Sequence, residues 1–172
     1  MSVFRQDIIF QAPQELKFHR VAASYAYIDE VLDTLDDRVL GVSCTVDAAG
    51  DVDVLALATT THILLVHIDT TSTSRPQSRS RRLFGGEVAL VGFDMPKIAL
   101  RVRHSLGYDV QGVDLSTVFS KSTAFPMTPA AAVRQRLYQS DVRRVQAVWS
   151  EESLDNVGCR AWIAAWCVRS GR

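Results

Sequence analysis

Charge of one sign is the first thing this 172-residue chain lacks: 19 Lys and Arg balance 19 Asp and Glu. A neutral total supplies no whole-molecule field to gather nucleic acid or an anionic membrane. Lysine is scarce, confined to Lys17, Lys97 and Lys121, so the basic character is arginine's. No charge-free apolar run is long enough to span a bilayer, and the amino-terminal Met-Ser-Val-Phe-Arg-Gln-Asp lacks signal-peptide organisation. These absences lead to the expectation of a soluble intracellular protein that does not engage a membrane. They do not separate nucleus from cytoplasm.

The chain also lacks the usual marks of a metal site or a nucleophile. Cys44, Cys159 and Cys167 are odd in number, without Cys-x-x-Cys spacing, and lie in apolar segments. Such residues behave as small buried hydrophobes rather than as a disulfide framework. His19, His62, His67 and His104 are dispersed. There is no Gly-x-Ser-x-Gly elbow, no phosphate-binding glycine loop and no dinucleotide fingerprint. Gly85-Gly86 reads as the end of a loop. No metal and no cofactor is therefore expected.

What is present is an ordinary globular composition, 47% apolar and 22% charged, of a length that suits one domain. Residues 1–21 read as an extended lead-in, and 22–168 as the domain. From Ser24 to Asp37, Tyr25, Ile28, Val31, Leu32 and Leu35 recur at helical spacing. Val39–Val46, Val52–Ala58 and Ile63–Ile68 are runs of strand length joined by short turns, which predicts an antiparallel meander. Val88–Phe93, a helix from Pro96 to Leu106 and a short strand over Val110–Leu115 predict a β-α-β crossover. Ser116–Phe119 reads as one helical turn. Thr128-Pro129 opens a helix running to Tyr138, with Thr as the cap and Pro at the first helical position. A final apolar helix runs from Glu151 or Ser153 to Val168. The order predicts an α/β fold: a mixed sheet, antiparallel early, flanked by helices.

Between these elements, Thr70 to Arg82 holds no apolar residue and reads as a mobile surface loop, taken as 70–86 with its flanks. Arg75, Arg79, Arg81 and Arg82 make it a candidate arm for nucleic-acid phosphates, weighed against an ordinary solvated loop. Arg134, Arg136, Arg143 and Arg144 with Tyr138 form a second basic group. Arg134 and Arg136 fall about 200° apart on a helix, which weakens a single patch. Trp162 and Trp166 lie four apart on the last helix and read either as core or as a candidate interface with a protein partner or a second copy.

In order and spacing the chain resembles the DEDD-type 3′–5′ exonuclease domains of the ribonuclease D kind, which have an RNase H-like fold. The resemblance is carried by Tyr-Ala-Tyr-Ile-Asp-Glu-Val-Leu and Arg-Val-Leu-Gly-Val at 38–42. It continues through Val-Leu-Ala-Leu-Ala-Thr at 54–59, Ile-Leu-Leu-Val-His-Ile-Asp at 63–69, Val-Gly-Phe-Asp-Met at 91–95, Gly-Val-Asp-Leu at 112–115 and the closing helix from Trp149 to Val168.

That resemblance implies two metal ions held by four acids, one ion activating water and the other stabilising the leaving oxygen. It places the first two acids at 43 and 45, where this chain has Ser43 and Thr45, and the third at 95, where it has Met95. The last motif, a Tyr or His and an Asp one turn apart, falls in Gly158–Ala165, a stretch without an acid, Tyr or His. Asp94 stands one residue from the third position, and Asp47, Asp114 and Asp155 are further candidates for a displaced site. The resemblance implies a catalytically inactive pseudonuclease that scaffolds proteins in an RNA-processing, RNA-silencing or nuclear complex. The alternatives are binding of RNA or single-stranded nucleic acid, and an active exonuclease with displaced carboxylates.

Overall fold

The structure, a computed structural model, describes residues 16–22, 38–68, 83, 88–120, 127–134 and 139–169. Its strands are β1 (Lys17–Ala22), β2 (Val39–Val46), β3 (Val52–Ala58), β4 (His62–His67), β5 (Ala89–Gly92) and β6 (Gly112–Asp114). They form one six-stranded sheet in the order β1-β4-β3-β2-β5-β6. The β2-β3-β4 meander is antiparallel, as its short turns predict, and β5 and β6 add in parallel to β2. Parallel addition needs a crossover, and helix α1 (Met95–Leu106) supplies it between β5 and β6. Helices α2 (Leu115–Ser120), α3 (Pro129–Arg134), α4 (Gln139–Ser150) and α5 (Leu154–Arg169) follow. The fold class is the one expected: mixed α/β, with the sheet flanked by helices.

Two expectations need correction. Residues 17–21, expected in an extended lead-in, belong to β1, which pairs in parallel with β4 along its outer edge. The segment Lys-Phe-His-Arg-Val-Ala has too few apolar residues to stand out, yet it satisfies a row of backbone groups that β4 would otherwise leave open. The closing helix expected from Glu151 or Ser153 is α5, beginning at Leu154, whereas Trp149, which the resemblance set at its head, lies in the last turn of α4. Ser153 starts α5 by accepting the Asn156 N–H at 3.2 Å. Thr128 caps α3 as expected, accepting the Ala131 N–H at 3.3 Å. The helix expected over 24–37 lies outside the described residues. So does the arginine-serine segment, except that Leu83 is buried at 2% exposure, a fixed point inside the expected loop.

Alternation along each strand sorts the core into two layers. Leu40, Val42 and Cys44 of β2 join Leu64, Val66 and Leu90 beneath Met95, Ile98 and Val102 of α1. On the other face Val54, Ala56, Ala58, Ile63 and Leu65 pack with Val91 and Phe93 against α5. Helix α5 is buried on nearly every side, which explains its apolar content all round. Among the described residues no helix is long and apolar enough to cross a membrane.

Candidate functional site

The carboxyl ends of β2 and β5 lie side by side, where ligands of open α/β sheets tend to bind. Ser43 pairs with Ala56 and Thr45 with Val54. Both partners belong to the α5-side core, so Ser43 and Thr45 face α5. Gly41 shares that face, and a Cβ there would stand 1.8 Å from the Ala161 carbonyl oxygen. A lone glycine inside a strand pattern signals such close backbone approach, and Leu-Gly-Val at 40–42 carried that signal unread.

Ser43 is buried at 7% exposure. Thr45 Oγ1 is buried and is the side-chain polar atom without a hydrogen-bond partner among the described residues. An orphaned hydroxyl is uncommon in a native core. One strand over, Gly41 pairs with Val91, so strand parity carries Phe93 onto the same face beside Ser43. The Phe93 ring meets Trp149 edge-on, with centroids 5.6 Å apart. Trp149 also lines a groove of about 430 Å³ with Pro129, Val145 and Gln146 between α3 and α4. This aromatic pair was not anticipated, because α4 itself was not recognised.

The start of α1 is built from two directions. Asp94 adopts a left-handed backbone (φ 64°, ψ 39°) and makes no side-chain cap bond. The capping comes instead from the β6–α2 junction. Asp114 Oδ1 accepts the Met95 N–H at 3.3 Å, and Ser116 Oγ accepts the Asp94 N–H at 3.3 Å. Thr117 donates to Asp114 Oδ2 at 2.6 Å. Burial works to raise the Asp114 pKa, but the hydrogen bonds from Thr117, Met95 and Ser116 outweigh it and hold the carboxyl below its usual range. Met95 is buried at 3% in the α1-side core. Its thioether lies where a Cβ at Gly92 or Gly112 would collide with it.

The other acids are committed as well. Asp47 accepts the Ala49 and Asp51 N–H groups at 2.9 and 3.0 Å in the β2–β3 turn. Asp155, in the first turn of α5, forms an ion pair with Arg20 of β1 at 3.0 Å. Next to it Asn156 Nδ2, and a turn further along α5 Arg160 Nη2, both donate to the Glu151 carbonyl, at 3.1 and 3.0 Å. Arg160 Nε donates to the Val148 carbonyl at 3.0 Å. These bonds satisfy open carbonyls at the end of α4, where a cation is favoured. Cys159 is fully buried, and burial, then the Asp155 charge, push its thiol up to about 12. Cys44 and Cys167 are likewise buried and outside any disulfide, so all three cysteines sit in the core as thiols.

Among the described residues, no three His, Cys, Asp or Glu side chains stand close enough to share a metal ion. At the positions where the resemblance places three acids, Ser43 and Thr45 offer neutral hydroxyls toward α5 and Met95 a thioether buried in the α1-side core, groups that do not fit a hard divalent cation.

Of the candidate interface residues, Trp162 has no exposed area. Its indole N–H donates to the Thr60 carbonyl at 2.9 Å, which fixes it in the core. Trp166 is half-buried and stacks on it with centroids 6.4 Å apart. Arg75, Arg79, Arg81 and Arg82 lie outside the described residues. Arg143 is exposed on α4, and Arg136 and Tyr138 are outside the described residues.

No protein-family model matches the sequence, and no curated protein matches it. Solved structures do. Brucella melitensis NrnC aligns at TM-score 0.60 and 10% identity, over 92% of this chain and 80% of that one. NrnC bound to pGG aligns at 0.59 and 10%, over 90% and 78%. The EXD2 exonuclease domain soaked in Mg and dGMP aligns at 0.53 and 17%, over 90% and 84%. The fold is that of an exonuclease domain. Ser43 and Thr45 lie in the second half of β2, and Met95 opens α1 just after β5.

Proposed function

We propose that this is a catalytically inactive exonuclease-like domain that works by binding, as a protein-interaction or scaffold module in an RNA-processing, RNA-silencing or nuclear assembly. The observation that carries the reading is the donor set at the ends of β2 and β5. Ser43 and Thr45 offer hydroxyls, and Met95 turns a thioether into the core. Asp114 and Asp155 are each engaged by neighbours. Two-metal hydrolysis needs several carboxylates shared between ions, and among the described residues Asp94 is the acid near β5 whose side chain makes no cap bond. The partner surface that best suits a scaffold is the β6 edge. Leu100, Val113 and Val118 stand 68%, 45% and 56% exposed on the successive elements α1, β6 and α2.

The test is digestion of an end-labelled single strand with Mg²⁺ or Mn²⁺. No metal-dependent cleavage is expected. Cleavage that disappears in Asp94→Ala or Thr45→Ala overturns the reading and favours an active site with displaced carboxylates. The second reading, binding of RNA or single-stranded nucleic acid in the old groove, is favoured by the same fold holding pGG in NrnC and being soaked with dGMP in EXD2. Steeply salt-dependent binding of an uncleaved strand, weakened by replacing Trp149, selects it. A partner captured by the wild-type domain and lost on Leu100→Asp, but not on Trp149→Ala, selects the scaffold.

A further inference from the structure

At the opposite end of the sheet, β1 and β4 begin together and bring three basic side chains onto one face. Lys17 is in register with His62, and His19 with Leu64. Leu64 belongs to the α1-side core, so Lys17, His19 and His62 share that side. The two imidazoles stack with centroids 5.9 Å apart and planes 14° from parallel. Arg20, of opposite parity, turns to the other face and its ion pair with Asp155. Among the described residues no carboxylate pairs with Lys17, His19 or His62.

The β3–β4 turn supplies hydroxyls to the same place. Thr59 Oγ1 accepts the backbone N–H groups of Thr61 and His62 at 3.2 and 3.0 Å. Thr59 Oγ1 and Thr61 Oγ1 stand 3.4 Å apart, and Thr61 Oγ1 shares a hydrogen bond of 2.9 Å with His62 Nδ1. Nε2 is then the ring's other hydrogen-bonding atom, and once the ring is protonated both nitrogens donate. Lys17 and Thr61 are exposed, and His19 and His62 half-buried.

We propose that Lys17, His19 and His62 form an oxyanion site for a phosphate group, either free phosphate or monoester, or the diester of a nucleic-acid strand. The crowding of like charge favours it. Burial, then His19 and Lys17, hold His62 below its ordinary pKa, and a bound phosphate anion offsets all three effects. Phosphate binding thus couples to proton uptake and tightens as the pH falls through the histidine range. The site stands at the far end of β2 from Ser43 and Thr45, so it does not depend on whether the domain is inactive.

The experiment is NMR titration of the histidine ring signals, first with inorganic phosphate and then with a six-nucleotide single strand lacking terminal phosphates. Phosphate is expected to raise the His62 midpoint by about one unit, a roughly tenfold gain in proton affinity. Lys17→Ala abolishes that rise. Lys97→Ala removes the same charge from an exposed position on α1 and leaves it intact. A rise with inorganic phosphate alone identifies a free phosphate or monoester ligand. A rise with the strand at lower concentration, lost with added salt, identifies the diester. No rise with either ligand, or equal loss in both variants, overturns the site.

Discussion

The two ends of β2 obey different rules. At its start, Gly41 lies so close to α5 that a single methyl group would overlap the Ala161 carbonyl. Two and four residues on, the same face carries Ser43 and Thr45, and the Thr45 hydroxyl is buried with nothing to bond. Close packing tolerates no spare volume and no change of residue. The first end is fixed by backbone contact between helix and sheet. The second holds a buried hydroxyl that no contact in the fold requires. Under the proposed reading, that difference separates the position packing demands from the one it does not.

Gly41→Ala breaks the comparison at its tight end. The clash is with backbone on a helix that is itself buried, so no flexible side chain can yield. The expected loss is at least about 4 kcal/mol, in the range reserved for named structural failures. Chemical denaturation reads it directly, and a loss under 1 kcal/mol refutes the close approach.

Much of this was legible before the structure. The meander, the crossover helix and the start of α3 follow from β-branched runs, from Pro96 and Gly107 at the ends of α1, and from the capping pair Thr128-Pro129, while the exonuclease-like order came from the family resemblance. What escaped was carried by tertiary context. β1 reads as polar because its partners are an open edge and an acid 135 residues away, Asp155. Helix α4 was obscured by arginines, although Val145 and Val148 mark its buried face. The α5 motif region could be searched for absent acids, but nothing local revealed that Asn156 and Arg160 close the end of α4. Trp162 illustrates the limit of exposure guesses on a helix that is apolar all round. Its complete burial and its bond to the Thr60 carbonyl place it in the core.

Thr45→Val sharpens the comparison at the open end. Valine has nearly the same shape and removes the unbonded hydroxyl, whose burial costs about 1–3 kcal/mol when unsatisfied. A gain of roughly 1 kcal/mol is expected, since the strand also favours a β-branched aliphatic side chain. A loss of stability instead means that the hydroxyl holds a water or a ligand, and that the open end is still in use. Gly41 and Thr45 face the same helix. Opposite signs at these two positions are therefore the signature of one packed end and one vacated end.

The smallest effect belongs to Asp94, where β5 hands over to α1. It is the non-glycine residue with positive φ among those described. An L-residue in this conformation carries about 1–2 kcal/mol of strain, less for Asp than for most. Asp94 makes no cap bond of its own, because Asp114 and Ser116 cap the helix from β6 and α2. Asp94→Gly should therefore relieve the strain at little cost in contacts. Against this stands the greater freedom of glycine in the unfolded chain. The net gain expected is a few tenths to about 1 kcal/mol, read as a rise in the denaturation midpoint, while Asp94→Ala keeps the strain and gains nothing. Strained residues persist at working sites when the strain serves the work. If Asp94→Gly gains stability but abolishes strand or partner binding, the carboxylate is retained for function and this end of the sheet is not empty. If stability rises and binding is unchanged, Asp94 is a relic of the same kind as Thr45, and the binding surface lies elsewhere on the domain.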